Sequence, residues 1–128
     1  MKILLDTCAL IWWTLDPKQL SKETLAIFNR QDVLWVSSIS LWEIGLKIKN
    51  KKLDIGMSID TYVKHLKELQ SLEVVPVDTA IWLKNLALHW DHRDPADRTI
   101  VGTAELLGCH VATSDQLILS HYPKIFRL

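Results

Sequence analysis

Five acidic side chains, Asp6, Glu43, Asp94, Asp97 and Asp115, are the residues of this 128-residue chain whose type and placement could do chemistry together. Two of them share one helix start. In Asp94-Pro95-Ala96-Asp97, Asp94 reads as the N-cap, Pro95 as the first helical residue, and Asp97 follows the cap by three positions. Aspartates at i and i+3 point the same way, so this helix opens with concentrated negative charge. Many helices begin with a cap and an acid favoured by the dipole, so chemistry requires the other acids to join these two. Carboxylates held close together disfavour their own ionisation, and a divalent cation relieves that conflict. Oxygen-only ligation without thiolates suits Mg²⁺ or Mn²⁺ rather than zinc. One or two such ions, about 3.5 to 4 Å apart when paired, would activate a water and stabilise charge on a phosphodiester.

Whether the acids meet depends on the elements that carry them. Lys2 to Leu5 is a short apolar run without alternation, as expected of a strand covered on both faces. Val33 to Val36, Glu73 to Val77 and His110 to Thr113 read as further strands, with a possible edge strand at Lys124 to Phe126. Helices are expected from Ala9 to Leu15, from Ser21 as N-cap to Asn29, from about Ser40 to Lys49, and from about Ile59 to Gln70. Asp78 caps another; the Asp94 helix runs to Leu107 and stops at Gly108, and a helical turn covers Leu117 to Leu119. Strands alternating with helices predict a three-layer α/β/α domain with a mostly parallel central sheet of four to five strands. The loops after parallel strands emerge on one edge, where sites in open α/β sheets lie. Asp6 follows the first strand, Glu43 lies in the helix entered after the second, and Asp115 follows the fourth. The Asp94 helix returns antiparallel to the strands, so its start belongs on the same edge.

Length fits a single domain spanning residues 1–128, long enough to bury a core. Lysine plus arginine equals aspartate plus glutamate at 15 each, so any nucleic-acid contact must rely on a local patch or bound metal. No apolar run reaches membrane-spanning length and the opening Met1 to Leu5 is too short for a signal segment, so a soluble cytoplasmic protein is expected. Cys8 and Cys109 have neither disulfide-framework nor zinc-site spacing, and Cys8 reads as a small apolar residue rather than a nucleophile.

Each acid has an ordinary structural alternative: a turn residue for Asp6, a helical ion pair with Lys47 for Glu43, a cap for Asp94 or Asp115. Those alternatives would have to coincide. Leu5-Asp6-Thr7, Ser37-x-x-Ser40-x-x-Glu43, Asp94-Pro95-Ala96-Asp97-Arg98 with Ile100 and Ala104, and Thr113-Ser114-Asp115 occur in that order along the whole chain. In this combination the chain resembles the PIN-domain ribonucleases, specifically the VapC-type toxins of type II toxin-antitoxin pairs. The resemblance implies that Asp6, Glu43, Asp97 and Asp115 form a catalytic, metal-holding quartet, with Asp94 as an accessory acid. It places Thr7, Ser37 and Thr113 where relatives use hydroxyls to order carboxylates or water. It further implies Mg²⁺- or Mn²⁺-dependent endoribonuclease chemistry, an RNA substrate, a VapB-type antitoxin and a homodimer. Ala96, where many relatives carry Phe, and Val101-Gly102, where small pairs of Ala are common, depart from the pattern and leave the acids untouched.

Lys47, Lys49, Lys51 and Lys52 could track an RNA backbone or simply complete a helix end. Arg98 could contact phosphate or brace Asp94. His89 and His92, three apart, lack further ligands and are expected as surface residues of a polar linker. Trp35, Trp42 and Trp82 are expected in the core; of Trp12 and Trp13 one should reach the surface, and with the Leu41 to Leu46 helix could form a protein interface. Two rivals remain: a catalytically silent module binding RNA or an antitoxin, and a phosphotransferase of the haloacid-dehalogenase type. The latter wants a second Asp two positions after Asp6, where this chain has Cys8.

Overall fold

A computed structural model describes all of residues 1–128. Five strands, β1 (Ile3–Leu5), β2 (Leu34–Ser37), β3 (Leu72–Val75), β4 (His110–Thr113) and β5 (Ile125–Arg127), alternate with seven helices. The helices are α1 (Thr7–Leu15), α2 (Lys22–Arg30), α3 (Ser38–Lys49), α4 (Ile59–Glu68), α5 (Thr79–Ala87), α6 (Pro95–Leu107) and α7 (Gln116–His121). All strand pairs are parallel, in the order β3-β2-β1-β4-β5. The expected three-layer α/β/α architecture is therefore present, with a fully parallel sheet of five strands.

Strand periodicity sorts the core into two layers. Ile3 and Leu5 of β1 face a cluster that includes Leu10, Phe28, Ile44, Tyr62 and Leu66, from α1 to α4. Leu4 faces the opposite layer, which includes Ile100, Val101 and Ala104 of α6 and Ile118 of α7. All three β1 residues are essentially inaccessible to water. Truncating such a leucine to alanine costs about 2–5 kcal/mol. From β1 the chain proceeds sideways to β2 and β3, then crosses back to β4 on the other flank of β1. The strand ends of β1 and β4 thus border the point where the winding reverses, the usual location of a crevice.

The helix boundaries have local causes. Ser21, Ser58 and Asp78 cap α2, α4 and α5, accepting from the backbone N–H groups of Thr24, Thr61 and Ile81. Gly108 ends α6 with φ of +65°, the left-handed conformation that a side chain would disfavour. At Gly102 a Cβ would come within 3.3 Å of the Asn85 backbone nitrogen, so glycine lets α5 and α6 approach closely.

Several expectations need correction. Helix α1 starts at Thr7 rather than Ala9 and α3 at Ser38 rather than about Ser40, because Asp6 and Ser37 act as their N-caps directly after the strands. Trp42 and Trp82 are 54% and 43% exposed instead of buried. The inward positions are Ile39, Ser40 and Ile44 in α3 and Ile81 and Asn85 in α5, and each tryptophan lies off that stripe. Trp35 is half-buried, as are both Trp12 and Trp13, and Trp13 Nε1 donates to Asn29 Oδ1 at 3.2 Å.

Candidate active site

The five acids line one cavity of about 360 Å³, accompanied by Thr7, Cys8, Ile11, Lys47 and Ser114. A second cavity of about 370 Å³, lined by residues such as Trp13, Met57, Tyr62 and Leu66, contains no carboxylate and offers nothing for hydrolytic chemistry.

Asp6 is the most buried of the acids, at 5% exposure. Its backbone N–H donates to Ala112 O at 3.1 Å, tying it to β4, and its Oδ1 accepts from Ala9 N at 2.8 Å. Burial pushes its carboxyl up to about 6; the Thr113 hydroxyl and the Ala9 N–H oppose this, while the nearby Asp97 and Asp115 charges add to it. The Asp97 carboxyl is likewise raised, chiefly by burial and further by Asp94 and Asp115, with His92 acting in the opposite direction. Asp94 Oδ1 accepts from Asp97 N at 2.9 Å, so Asp94 caps the helix as its sequence position implied. Asp115 is exposed and caps α7, its Oδ1 accepting from Leu117 N at 2.9 Å and Ile118 N at 3.2 Å. Glu43 projects from α3 half-buried, and it forms no ion pair with Lys47.

The hydroxyls have separate tasks. Thr113 Oγ1 accepts from Asp115 N at 2.9 Å and also lies against Asp6, linking two acids from one buried position. Thr7 Oγ1 donates to Ser40 Oγ at 2.9 Å, joining the first turns of α1 and α3. Ser37 accepts from Ile39 N at 3.1 Å and does not reach the cavity.

Among the basic residues, only Lys47 lines the acidic cavity. Lys52 joins Lys47, Glu43 and Asp94 along an adjacent depression of about 260 Å³, Lys51 takes a left-handed φ of +58°, and Lys49 is exposed. Arg98 neither braces Asp94 nor is free for a phosphate. Its guanidinium donates to the carbonyls of Asn85 at 2.6 Å, His92 at 3.1 Å, Leu88 at 3.3 Å and Trp90, and to Asn85 Oδ1 at 3.3 Å. The reason is geometric: the segment between α5 and α6 folds over the start of α6 and presents its unpaired carbonyls to the one side chain with enough donors to meet them. His92, expected on the surface, is instead half-buried with Nε2 2.8 Å from Asp97 Oδ2. No spacing rule marks such a contact, which reaches back from a loop to the first turn of a helix. Cys8 is exposed at the cavity rim, where partial desolvation and the Asp6 and Glu43 charges, opposed by Lys47, push its thiol up to about 11, which disfavours the thiolate near neutrality.

An all-oxygen donor set around a carboxyl driven toward protonation by burial, and further by the Asp97 and Asp115 charges, fits a hard dication. No three His, Cys, Asp or Glu side chains stand close enough to hold an ion between them as arranged. Several of the carboxylates are occupied in capping their own helices, and they repel one another.

The chain and its fold correspond to a known class. The residue pattern of the PIN domain matches residues 3–124, and the chain belongs to that family. Within it, the chain is 27% identical over 120 residues to Ribonuclease VapC22 of Mycobacterium tuberculosis (strain ATCC 25618 / H37Rv), covering 93% of this chain and 91% of that protein. Its fold is similar to that in the DNA-bound VapBC structure from Salmonella typhimurium, with a TM-score of 0.68, 24% identity, and coverage of 100% and 97% of the two chains. FitAcB from Neisseria gonorrhoeae gives a TM-score of 0.67 at 23% identity, covering 97% and 96%.

Proposed function

We propose that this chain, acting as a single domain, is a divalent-metal-dependent endoribonuclease and the toxin of a type II toxin-antitoxin pair. The observation that carries this reading is the gathering of Asp6, Glu43, Asp94, Asp97 and Asp115 on one cavity, with the innermost carboxyl raised to about 6. Membership of the PIN family and likeness to a VapC ribonuclease support it.

Asp6, Glu43, Asp97 and Asp115 would hold the cation. Mg²⁺ or Mn²⁺, as one ion or two, supplies water activation and stabilisation of the charge that develops on a phosphodiester. The chain's own residues arrange the rest. Asp94 fixes the first turn of α6 and so the direction of Asp97. Thr113 holds Asp6 and the Asp115 backbone in mutual register. Lys47 supplies positive charge at the cavity wall, suited to a phosphate of bound RNA, with Lys52 extending that charge along the neighbouring depression. By likeness to similar enzymes, cleavage leaves a 5′-phosphate and a 3′-hydroxyl. On the same basis the protein works in the cytoplasm, forms a homodimer and is silenced by a VapB-type antitoxin. No helix is long and apolar enough to cross a membrane.

A cleavage assay on single-stranded RNA with Mg²⁺ or Mn²⁺ tests the proposal. Chelation, Asp6→Asn and Asp97→Asn should each lower the rate by more than about a hundredfold, since even outer partners of metal ligands contribute about 10- to 100-fold. Equal cleavage by wild type and both variants would refute the site.

A further inference from the structure

His92 does not line the acidic cavity, yet it touches one of the carboxylates that do. The ring and the Asp97 side chain are only 17% and 21% exposed, and Nε2 lies 2.8 Å from Oδ2. A carboxylate accepts hydrogen bonds, so Nε2 carries the hydrogen and donates. Asp97 Oδ1 receives no protein donor. The contact therefore splits the carboxylate into one anchored oxygen and one spare.

The imidazole is itself held from several sides. Trp90 lies against it with ring centroids 4.9 Å apart, and Trp90 in turn stacks on His121 of α7 at 4.3 Å and 5°. Arg98, the residue after Asp97, donates to the carbonyl of His92 and to those of Asn85, Leu88 and Trp90. Asn85 is fixed from its other end, its Nδ2 donating to Thr99 Oγ1 at 2.9 Å. A polar segment of this kind would ordinarily leave its carbonyls to water. Here the end of α5, the first two turns of α6 and α7 all converge on it, and its one side chain directed at the acids is His92.

The geometry assigns His92 as a positioning residue for Asp97. By anchoring Oδ2 it removes rotation about the last side-chain bond and keeps Oδ1 available to the cation. The inference rests on the metal-dependent reading above. It concerns a hydrogen-bond donor and its placement, and a neutral donor of similar reach should serve as well.

The test is a titration of the metal-free protein with Mn²⁺ alone, following the electron paramagnetic resonance signal of free Mn²⁺. His92→Phe keeps a ring beside Trp90 and removes the donor; its Kd for Mn²⁺ should rise about tenfold, the usual scale for losing an outer partner of a metal ligand. His92→Gln retains an N–H of similar reach and should recover most of that loss. If His92→Phe does not fold, His92→Asn, whose donor falls short of Asp97, takes its place. Wild-type affinity in the donor-less variant would overturn the assignment alone. Equal weakening by Phe and Gln would also overturn it, because packing rather than the donor would then be responsible. A wild-type protein that binds no Mn²⁺ would overturn the metal reading and this inference together.

Discussion

Asp6 carries opposed demands. It caps α1, which favours a charged acceptor, and it is buried beside other acids, which favours the neutral acid. Burial prevails, raising its carboxyl from 3.8 to about 6. A raised folded value means that the native state binds the proton more tightly than the unfolded chain does. The associated stability is complete below about pH 4 and is lost as pH rises past 6, an effect of about 3 kcal/mol at one group. Metal-free protein should therefore show a decline in stability from pH 4 to pH 7 that is shallower in Asp6→Asn, the remainder coming from Asp97, whose carboxyl is also raised. Urea denaturation in the presence of chelator at several pH values measures the difference; parallel profiles for the two proteins would contradict it. Asp6 and Asp97 were recognisable in the sequence because a strand end and a helix cap are local signals. His92 was not, because its partner is set by how a loop folds back.

Helix α6 is the element that most controls the site. Asp94 and Asp97 occupy its start, Arg98 anchors the preceding segment, and Gly102 allows α5 to lie close along it. Arg98→Lys keeps the charge but replaces a planar fork of donors with a single ammonium, leaving several carbonyls of residues 85–92 without partners. The variant should lose about 1–3 kcal/mol of stability in urea, and amide exchange should quicken between residues 88 and 93. Unchanged stability and exchange would mean that water replaces the arginine without cost. The cap, the Pro at its first position and the terminal Gly made this helix readable to the residue, whereas α1 and α3 began earlier than expected. Their caps, Asp6 and Ser37, directly follow strands, so no loop residue separates strand from helix to mark the start.

At the scale of the molecule, a chain with no net formal charge concentrates five acids on one edge of its sheet. Mn²⁺ bound there should stabilise the native state by about 2.7 kcal/mol at a hundredfold excess over Kd, read as a rise in the urea midpoint. An unchanged midpoint at millimolar Mn²⁺, with Asp97→Asn behaving identically, would argue against a metal at this edge. The sequence by itself determined the alternation of strands and helices and the edge on which the acids would meet. Apolar runs, caps and breakers act over a few residues, and parallel connection then leaves few topologies. Tertiary structure alone decided that Trp42 and Trp82 face outward, that Arg98 serves the backbone and that His92 reaches Asp97. Those outcomes depend on the rotation of each helix and the path of one loop, which are set by contacts between residues distant in sequence or in space and carry no local signature.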